Sequence, residues 1–279
     1  SPPAPQPPKA EQASPARVSP LLIPVAREPG IYLGLPEAEY HQDPSLGSTD
    51  IKLLLRSPVD YWWRSAMNPN RPADNDDTPA KKQGRALHKL ALEGEEAFEK
   101  RFIAEPQPEN WAGALRTLDD LREYLREKGE KVSGTKSELA TRIKAIDPKA
   151  IIWDDILAHF SAMVERDRLE VLKPKDLAEV RQAARMVSLN PYLARAFQGG
   201  IAEVSVFWVD ERRIPCKARF DYLKPHTIVD LKKCANKGEH PFEDACRLAF
   251  QSYRYDVQVD HYLDGYAALL QLAAAGKVF

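Results

Sequence analysis

The chain has 279 residues, of which 43% are hydrophobic, 9% aromatic and 29% charged. That suits one large α/β domain, or a medium domain with an insert, and excludes collagen-like, coiled-coil and wholly disordered classes. Forty Lys and Arg against 41 Asp and Glu leave a formal net charge of −1, so any attraction to nucleic acid must come from local placement of cations.

No run of about 18 uninterrupted apolar residues occurs, the longest candidate being the Ala/Leu stretch after Asp264. This excludes a spanning helix and sets the expectation of a soluble chain with no membrane partner. The three cysteines, Cys216, Cys234 and Cys246, are odd in number and do not have paired metal-ligand spacing. They point to a reducing, cytoplasmic compartment and read as small buried thiols. Ser1 in place of Met fits a processed chain or a piece of a longer one.

Nine of the 23 prolines fall in residues 1–30, and this composition predicts a disordered tail over 1–29. Order is expected from Gly30, with Ser48-Thr49 capping a helix that carries Ile51, Leu54 and Leu55. Ser57-Pro58 then opens a short helix through Tyr61, Trp62 and Trp63. Residues 68–77 read as a polar loop. Thr78-Pro79 starts a helix to about Glu93 that places Gly84 and His88 on one face.

Leu115, Leu118, Leu121 and Leu125 predict one amphipathic helix, and Leu139, Ile143 and Ile146 a second, begun by the capping box Thr135-Lys136-Ser137-Glu138. Further helices are expected at 153–168 and 175–188. From Glu203 the pattern turns β-branched and aromatic, predicting three strands, the first through Val209, the second through Asp221 and the third from Thr227 to Lys233. Three neighbouring strands joined by tight turns make an antiparallel meander. Two helices, Phe242–Phe250 and about Tyr255–Ala274, end the chain.

The chemistry is concentrated in Asp221 and in Asp230-Leu231-Lys232. On a strand, residues 230 and 232 share a face while Leu231 enters the opposite layer, and Asp221 on the neighbouring strand can lie beside them. Removing two carboxylates and an ammonium from water costs several kcal/mol each unless they are paired or bind a cation. Hard oxygen ligands, with the Leu231 carbonyl as a further donor, suit Mg²⁺ or Mn²⁺. His41, His159, His226, His240 and His261 show no ligand spacing among themselves and read as surface or structural residues.

This D-x8-D-x-K spacing resembles the active-site signature of the PD-(D/E)XK nuclease superfamily. Gly84-Arg85-Ala86-Leu87-His88 resembles the GxxxH motif of its RecB-type branch, Gln258-Val259-Asp260-His261-Tyr262 resembles the branch's QxxxY motif, and the order agrees. Gly30-Ile31-Tyr32, Tyr40-His41 and Ser57-Pro58 are similar to the start of the RecE-type phage and prophage exonuclease domain. Phe220 stands where the superfamily name has Pro. Gln251-x3-Tyr255 is a second candidate for QxxxY, less similar in its flanks.

The resemblance implies an α/β fold of the restriction-endonuclease-like type, a central mixed sheet whose antiparallel meander is flanked by helices. It implies that Asp221 and Asp230 hold the metal with His88, and that Lys232 orients the attacking hydroxide or neutralises charge. Glu203 would make a second-metal or water-mediated contact, and Gln258 and Tyr262 would steady the phosphate backbone or the lysine. The core would comprise 30–112 and 148–279.

The intervening 113–147 unit resembles a SAP motif, a helix-extended-helix DNA-binding module. Its second half carries Arg126, Lys128, Lys131, Lys136, Arg142 and Lys144 against three Glu over residues 126–144, and Lys128, Lys131, Lys136, Arg142 and Lys144 are the expected phosphate contacts. The implied activity is a metal-dependent exonuclease on linear double-stranded DNA, 5′ to 3′, working as a ring beside a single-strand-annealing recombination protein. A nicking or structure-specific endonuclease, and a non-catalytic DNA-binding scaffold, are the alternatives.

Overall fold

The computed structural model describes residues 25–72, 78–234, 238 and 240–279. Residues 1–24 of the expected tail and 73–77 of the expected loop lie outside them. The order opens with β1 (Gly30–Tyr32), α1 (Glu37–Gln42), α2 (Ser48–Arg56), α3 (Pro58–Arg64) and α4 (Pro79–His88), which runs into a π-helical turn at Lys89–Glu93. Then come α5 (Glu95–Glu99), β2 (Phe102–Ala104), α6 (Leu118–Glu127), α7 (Lys136–Ile146), α8 (Trp153–Asp167) and β3 (Glu170–Leu172). α9 (Pro174–Leu189), α10 (Pro191–Ala196), β4 (Ile201–Val209), β5 (Pro215–Lys224), β6 (Thr227–Val229), α11 (Phe242–Ser252) and α12 (Tyr255–Ala274) complete it.

The main sheet has the order β1-β4-β5-β6, with β1–β4 and β5–β6 antiparallel. The expected α/β class and meander are therefore present, flanked by helices. A parallel pair, β2 with β3, forms a separate two-stranded sheet.

Local chemistry explains the helix starts. Ser57 Oγ accepts the Asp60 amide at 3.2 Å and Thr78 Oγ accepts that of Lys81 at 3.3 Å, each ahead of a proline at the first helical position. For α2 the cap is Gly47 rather than Ser48 or Thr49. The Asp50 carboxylate reaches back to the Gly47 amide at 2.9 Å, so the helix begins one residue earlier than expected.

The chain divides into two compact units. One comprises the described part of Ser1–Ala73 with Ser205–Arg219 and Leu248–Phe279. Within it α12 packs on α2, and a Cβ at Gly265 would come within 3.2 Å of Trp208 and 3.3 Å of Ala218, so any larger residue would press on these neighbours by a few tenths of an ångström. Lys217 is buried and its Nζ donates to the Tyr40 and Asp43 carbonyls at 2.8 and 2.6 Å. Burial holds this ammonium below the usual lysine range.

His261 is the structural histidine that the sequence suggested. It is buried against Trp208, and its Nε2 lies 2.9 Å from the Lys217 carbonyl, which can only accept, so Nε2 carries the proton. Desolvation lowers the pKa of the ring. A depressed pKa means that the neutral ring's contribution to stability is complete above about pH 6.5, the unfolded value, and is lost as pH falls through the folded one. The melting temperature should therefore fall between pH 7 and pH 5 more steeply in the wild type than in His261→Gln. Equal slopes would count against this account.

The other unit comprises Asp74–Val204 and Phe220–Arg247. Its main core is Ala86, Leu87, Phe98, Phe102, Leu172 and Val180, with Leu231 packed against it. A second cluster, Leu121, Leu125, Leu139, Ile143, Ala150 and Ile152, joins α6 to α7. Capping boxes at Thr117/Asp120 and Thr135/Glu138 start the two helices.

Because the Thr117 cap begins α6 at Leu118, Leu115 falls outside the helix on which it was expected. Instead it pairs with the return segment, its amide donating to the Ile151 carbonyl at 2.8 Å and its carbonyl accepting from the Trp153 amide at 3.0 Å. Ile152 also supplies a buried apolar side chain, whereas Ile146, at the end of α7, is 42% exposed instead of lying in the core.

Candidate metal centre and active site

β5 carries Asp221, and β6 lies antiparallel to it in the register Tyr222↔Val229, Leu223↔Ile228 and Lys224↔Thr227. Continued by one residue, that register sets Asp230 opposite Asp221. The strand itself stops at Val229, short of the expected Lys233.

Side chains replace the ladder there. The Leu231 amide donates to Asp221 Oδ2 at 2.7 Å, its carbonyl faces His88 Nε2 at 2.8 Å, and its side chain packs against the core cluster that includes Leu87 and Phe98. The expected arrangement, with Leu231 turned to the core and residues 230 and 232 together, is thus held by side chains and not by a strand. Lys232 meets Asp230, Nζ to Oδ2 at 2.6 Å.

His88 ends α4, immediately before the π-helical turn. A carbonyl cannot donate, so Nε2 must carry the proton, and the neutral ring then presents the Nδ1 lone pair, 3.6 Å from Asp221 Oδ2. A backbone carbonyl that fixes the tautomer in this way is the usual support of a metal-binding imidazole. The Leu231 carbonyl, expected as a metal ligand, thus orients the histidine.

Glu203 completes the group. One ligand atom each from His88, Glu203 and Asp221 lie within 4.8 Å of one another. Glu203, the third residue of β4, has φ 55°, a left-handed conformation that costs a non-glycine residue about 1–3 kcal/mol and persists where the surroundings enforce it. Asp230, expected to ligate beside Asp221, is not a member of this close group; its carboxylate is taken up by Lys232.

Asp221 is buried, and desolvation raises its pKa first, with the Asp230 charge adding to the rise. The Lys232 charge and the Leu231 amide oppose it, as does His88 whenever its ring is protonated. Crowded carboxylates beside an imidazole lone pair form a donor set that suits a divalent cation, which would relieve the repulsion.

Gln258 and Tyr262 lie on α12, one helical turn apart, in the other unit. Gln258 Oε1 accepts Lys52 Nζ at 3.4 Å, and that ammonium sits 5.4 Å from the centre of the Tyr255 ring. Lys52 escaped the sequence reading because 206 residues separate it from Gln258. A Cβ at Gly84, one turn before His88, would meet nothing within 4 Å, so packing does not explain this glycine.

The five cations expected to touch DNA are engaged unequally. Lys136 pairs with Asp154 at 2.7 Å, and Lys144 pairs with Asp155 at 3.3 Å. Both acids stand in the first turn of α8, where the helix dipole favours them. Arg142 donates to the Lys131 and Ser133 carbonyls, and Lys128 lies 5.7 Å from the Tyr124 ring centre.

Of the thiols, Cys216 is buried and desolvation pushes it up to about 11. Cys234 and Cys246 are only half-buried and hydrogen-bonded to each other, a departure from the expectation of three buried thiols.

A family model described as "PDDEXK-like domain of unknown function (DUF3799)" matches residues 49–273. The chain belongs to this PDDEXK-like family. The match spans the motif residues from His88 to Tyr262 and includes the 113–147 unit. No curated protein and no solved structure matches the chain. Membership of a PDDEXK-like family points to nuclease chemistry and to a divalent metal. Among the described residues, no helix is long and apolar enough to cross a membrane.

Proposed function

We propose that this PDDEXK-like chain is a divalent-metal-dependent deoxyribonuclease that hydrolyses linear double-stranded DNA from an end, 5′ to 3′. The observation that carries the reading is the convergence of His88, Glu203 and Asp221 within 4.8 Å, beside the Lys232–Asp230 pair. Mg²⁺ or Mn²⁺, held by His88, Glu203 and Asp221 with Asp230 adjacent, would supply Lewis-acid polarisation of the phosphate and a lowered pKa for attacking water.

The protein's own groups divide the remaining work. His88, its tautomer set by Leu231, contributes a neutral donor, while Asp221 anchors the Leu231 amide and so ties the metal group to the lysine segment. The Lys232 ammonium, a compact charge, neutralises the negative charge that builds on the phosphate oxygens. Gln258 and Tyr262 offer hydrogen bonds to the DNA backbone. The resemblance to RecE-type enzymes supports the polarity, a ring-shaped homo-oligomer, a single-strand-annealing partner, a cytoplasmic setting and a role in phage-type recombination or end processing.

The deciding experiment compares end-labelled linear duplex with covalently closed circles, in Mg²⁺ or Mn²⁺ and in EDTA. Metal-dependent shortening of the 5′-ended strand of the linear DNA, with circles spared, is the expected outcome. Prompt cleavage of circles would make the protein an endonuclease, and no cleavage of either DNA would leave only a binding role.

The SAP-like unit is proposed to hold the DNA backbone. Since Lys136 and Lys144 are paired with acids of α8 and Arg142 is turned to backbone carbonyls, Lys128 and Lys131 are the cations chosen for the test. Lys128→Glu/Lys131→Glu should reduce the slope of log affinity against log salt by about 2, close to 0.9 for each phosphate no longer neutralised. An unchanged slope would remove the assignment.

A further inference from the structure

The nuclease reading leaves Gln83, Asp176 and Lys233 without a role, although all three converge on the segment that carries Lys232. Lys233 Nζ donates to Gln83 Oε1, and Gln83 Nε2 donates to Asp176 Oδ1 at 2.6 Å. Chemistry dictates this orientation of the amide. The aspartate carboxylate can only accept and so takes the NH₂ end, while the ammonium can only donate and so takes the carbonyl.

Gln83 lies on α4, five residues before His88, and Asp176 lies in the first turn of α9. α4 and α9 pack together in the same unit, around the core that includes Leu87 and Val180. A single helix therefore grips residues 231–233 twice, through His88 at the Leu231 carbonyl and through Gln83 at the Lys233 ammonium.

The second grip matters because β6 has already ended at Val229. Contacts to the amide, carbonyl and side chain of Leu231 fix one residue but do not by themselves stop a pivot about it, and the Lys232–Asp230 pair joins two side chains of the same segment. Lys233 supplies an anchor on the far side of Lys232. We propose that Gln83, oriented by Asp176, is a positioning residue that stops this pivot and so sets the direction in which the Lys232 ammonium is presented. The consequence for catalysis rests on the nuclease reading, whereas the clamp itself does not.

The experiment uses the full chain in four further forms, Gln83→Ala, Gln83→Glu, Asp176→Asn and the double variant Gln83→Glu/Asp176→Asn. In the metal-free protein, amide hydrogen exchange over residues 230–234 should rise about tenfold in Gln83→Ala, which removes the Lys233 contact, and in Gln83→Glu, where the carboxylate still accepts from Lys233 but is pushed from its place by Asp176. In Asp176→Asn the rise should be smaller, because the Lys233 contact survives. The double variant restores a complementary pair, with an amide at position 176 donating to a carboxylate at position 83 that also accepts from Lys233. It should return exchange to the wild-type rate.

With Mn²⁺ and linear duplex, kcat should fall about tenfold in Gln83→Ala and Gln83→Glu while KM stays within about twofold, and the double variant should recover to within about threefold of wild type. Unchanged exchange and kcat in Gln83→Ala, or a double variant no better than Gln83→Glu, would overturn the proposal. If exchange follows this pattern in a wild type that does not cut DNA, the clamp stands and the nuclease reading falls.

Discussion

Lys232→Ala is expected to lower turnover of linear duplex by about 10³-fold in Mg²⁺ or Mn²⁺ while leaving the fold and the metal affinity intact. The loss is large because a positioned cation acts on charge that appears only as the phosphate reacts, and removing one such group typically costs about 10²–10³ in rate. Stability is spared because the Lys232 side chain is one-third exposed and its Asp230 partner 27% exposed, so their pairing contributes little to folding. Lys232→Arg should fail to rescue, since a planar fork cannot replace a compact ammonium that packs against one carboxylate. The measurement is single-turnover hydrolysis with a parallel Mn²⁺ titration. A variant with more than a tenth of wild-type activity would dissolve the catalytic role.

Asp221→Asn should abolish metal binding and cleavage, yet leave the metal-free protein at least as stable as wild type. Asp221 is 8% exposed, and its ionised form is opposed by desolvation and by Asp230. An asparagine removes that charge and keeps an oxygen to accept the Leu231 amide, which Asp221 holds at 2.7 Å. By contrast, Asp221→Ala would strand that amide, at a cost of about 1–3 kcal/mol. In EDTA the expected order of melting temperatures is therefore Asn equal to or above wild type, with Ala below both. Adding Mn²⁺ should raise the melting temperature of the wild type alone, because only a folded state with the complete donor set gains binding energy. An Asn variant that melts well below wild type in EDTA would show that Asp221 is retained for folding.

The same logic separates Glu203 from Asp230. The close group contains Glu203, whereas the D-x8-D-x-K spacing nominates Asp230. The family resemblance nominates Glu203 only for a second-metal or water-mediated contact, and its direct place beside His88 and Asp221 comes from the fold. A left-handed backbone is read in advance from glycine or asparagine, and Glu203, with its φ of 55°, is neither. The chain length between His88 and Glu203 likewise hides their meeting, since 115 positions separate them.

Much else was legible. Caps at Ser57, Thr78 and Thr135 act within three residues, so their chemistry is complete in the local sequence and the helices begin where they predict. The strands of the meander were marked by β-branched and aromatic runs, and Asp221, Asp230, Lys232 and His88 by residue type and spacing. Leu115 and Ile146 were misplaced because periodicity alone does not reveal which apolar residue a return segment will cover.

The sequence by itself therefore determined the longer helices, though not the short α1, α5 and α10, together with the meander and the residue types that a phosphodiester-cleaving centre requires, because short-range hydrogen bonds and burial patterns are local. Tertiary structure alone decided that β6 stops at Val229, that the Leu231 carbonyl serves His88, and that Glu203 joins Asp221. Each of these depends on groups far apart in the chain competing for the same amide, carbonyl or lone pair, and only folding settles that competition.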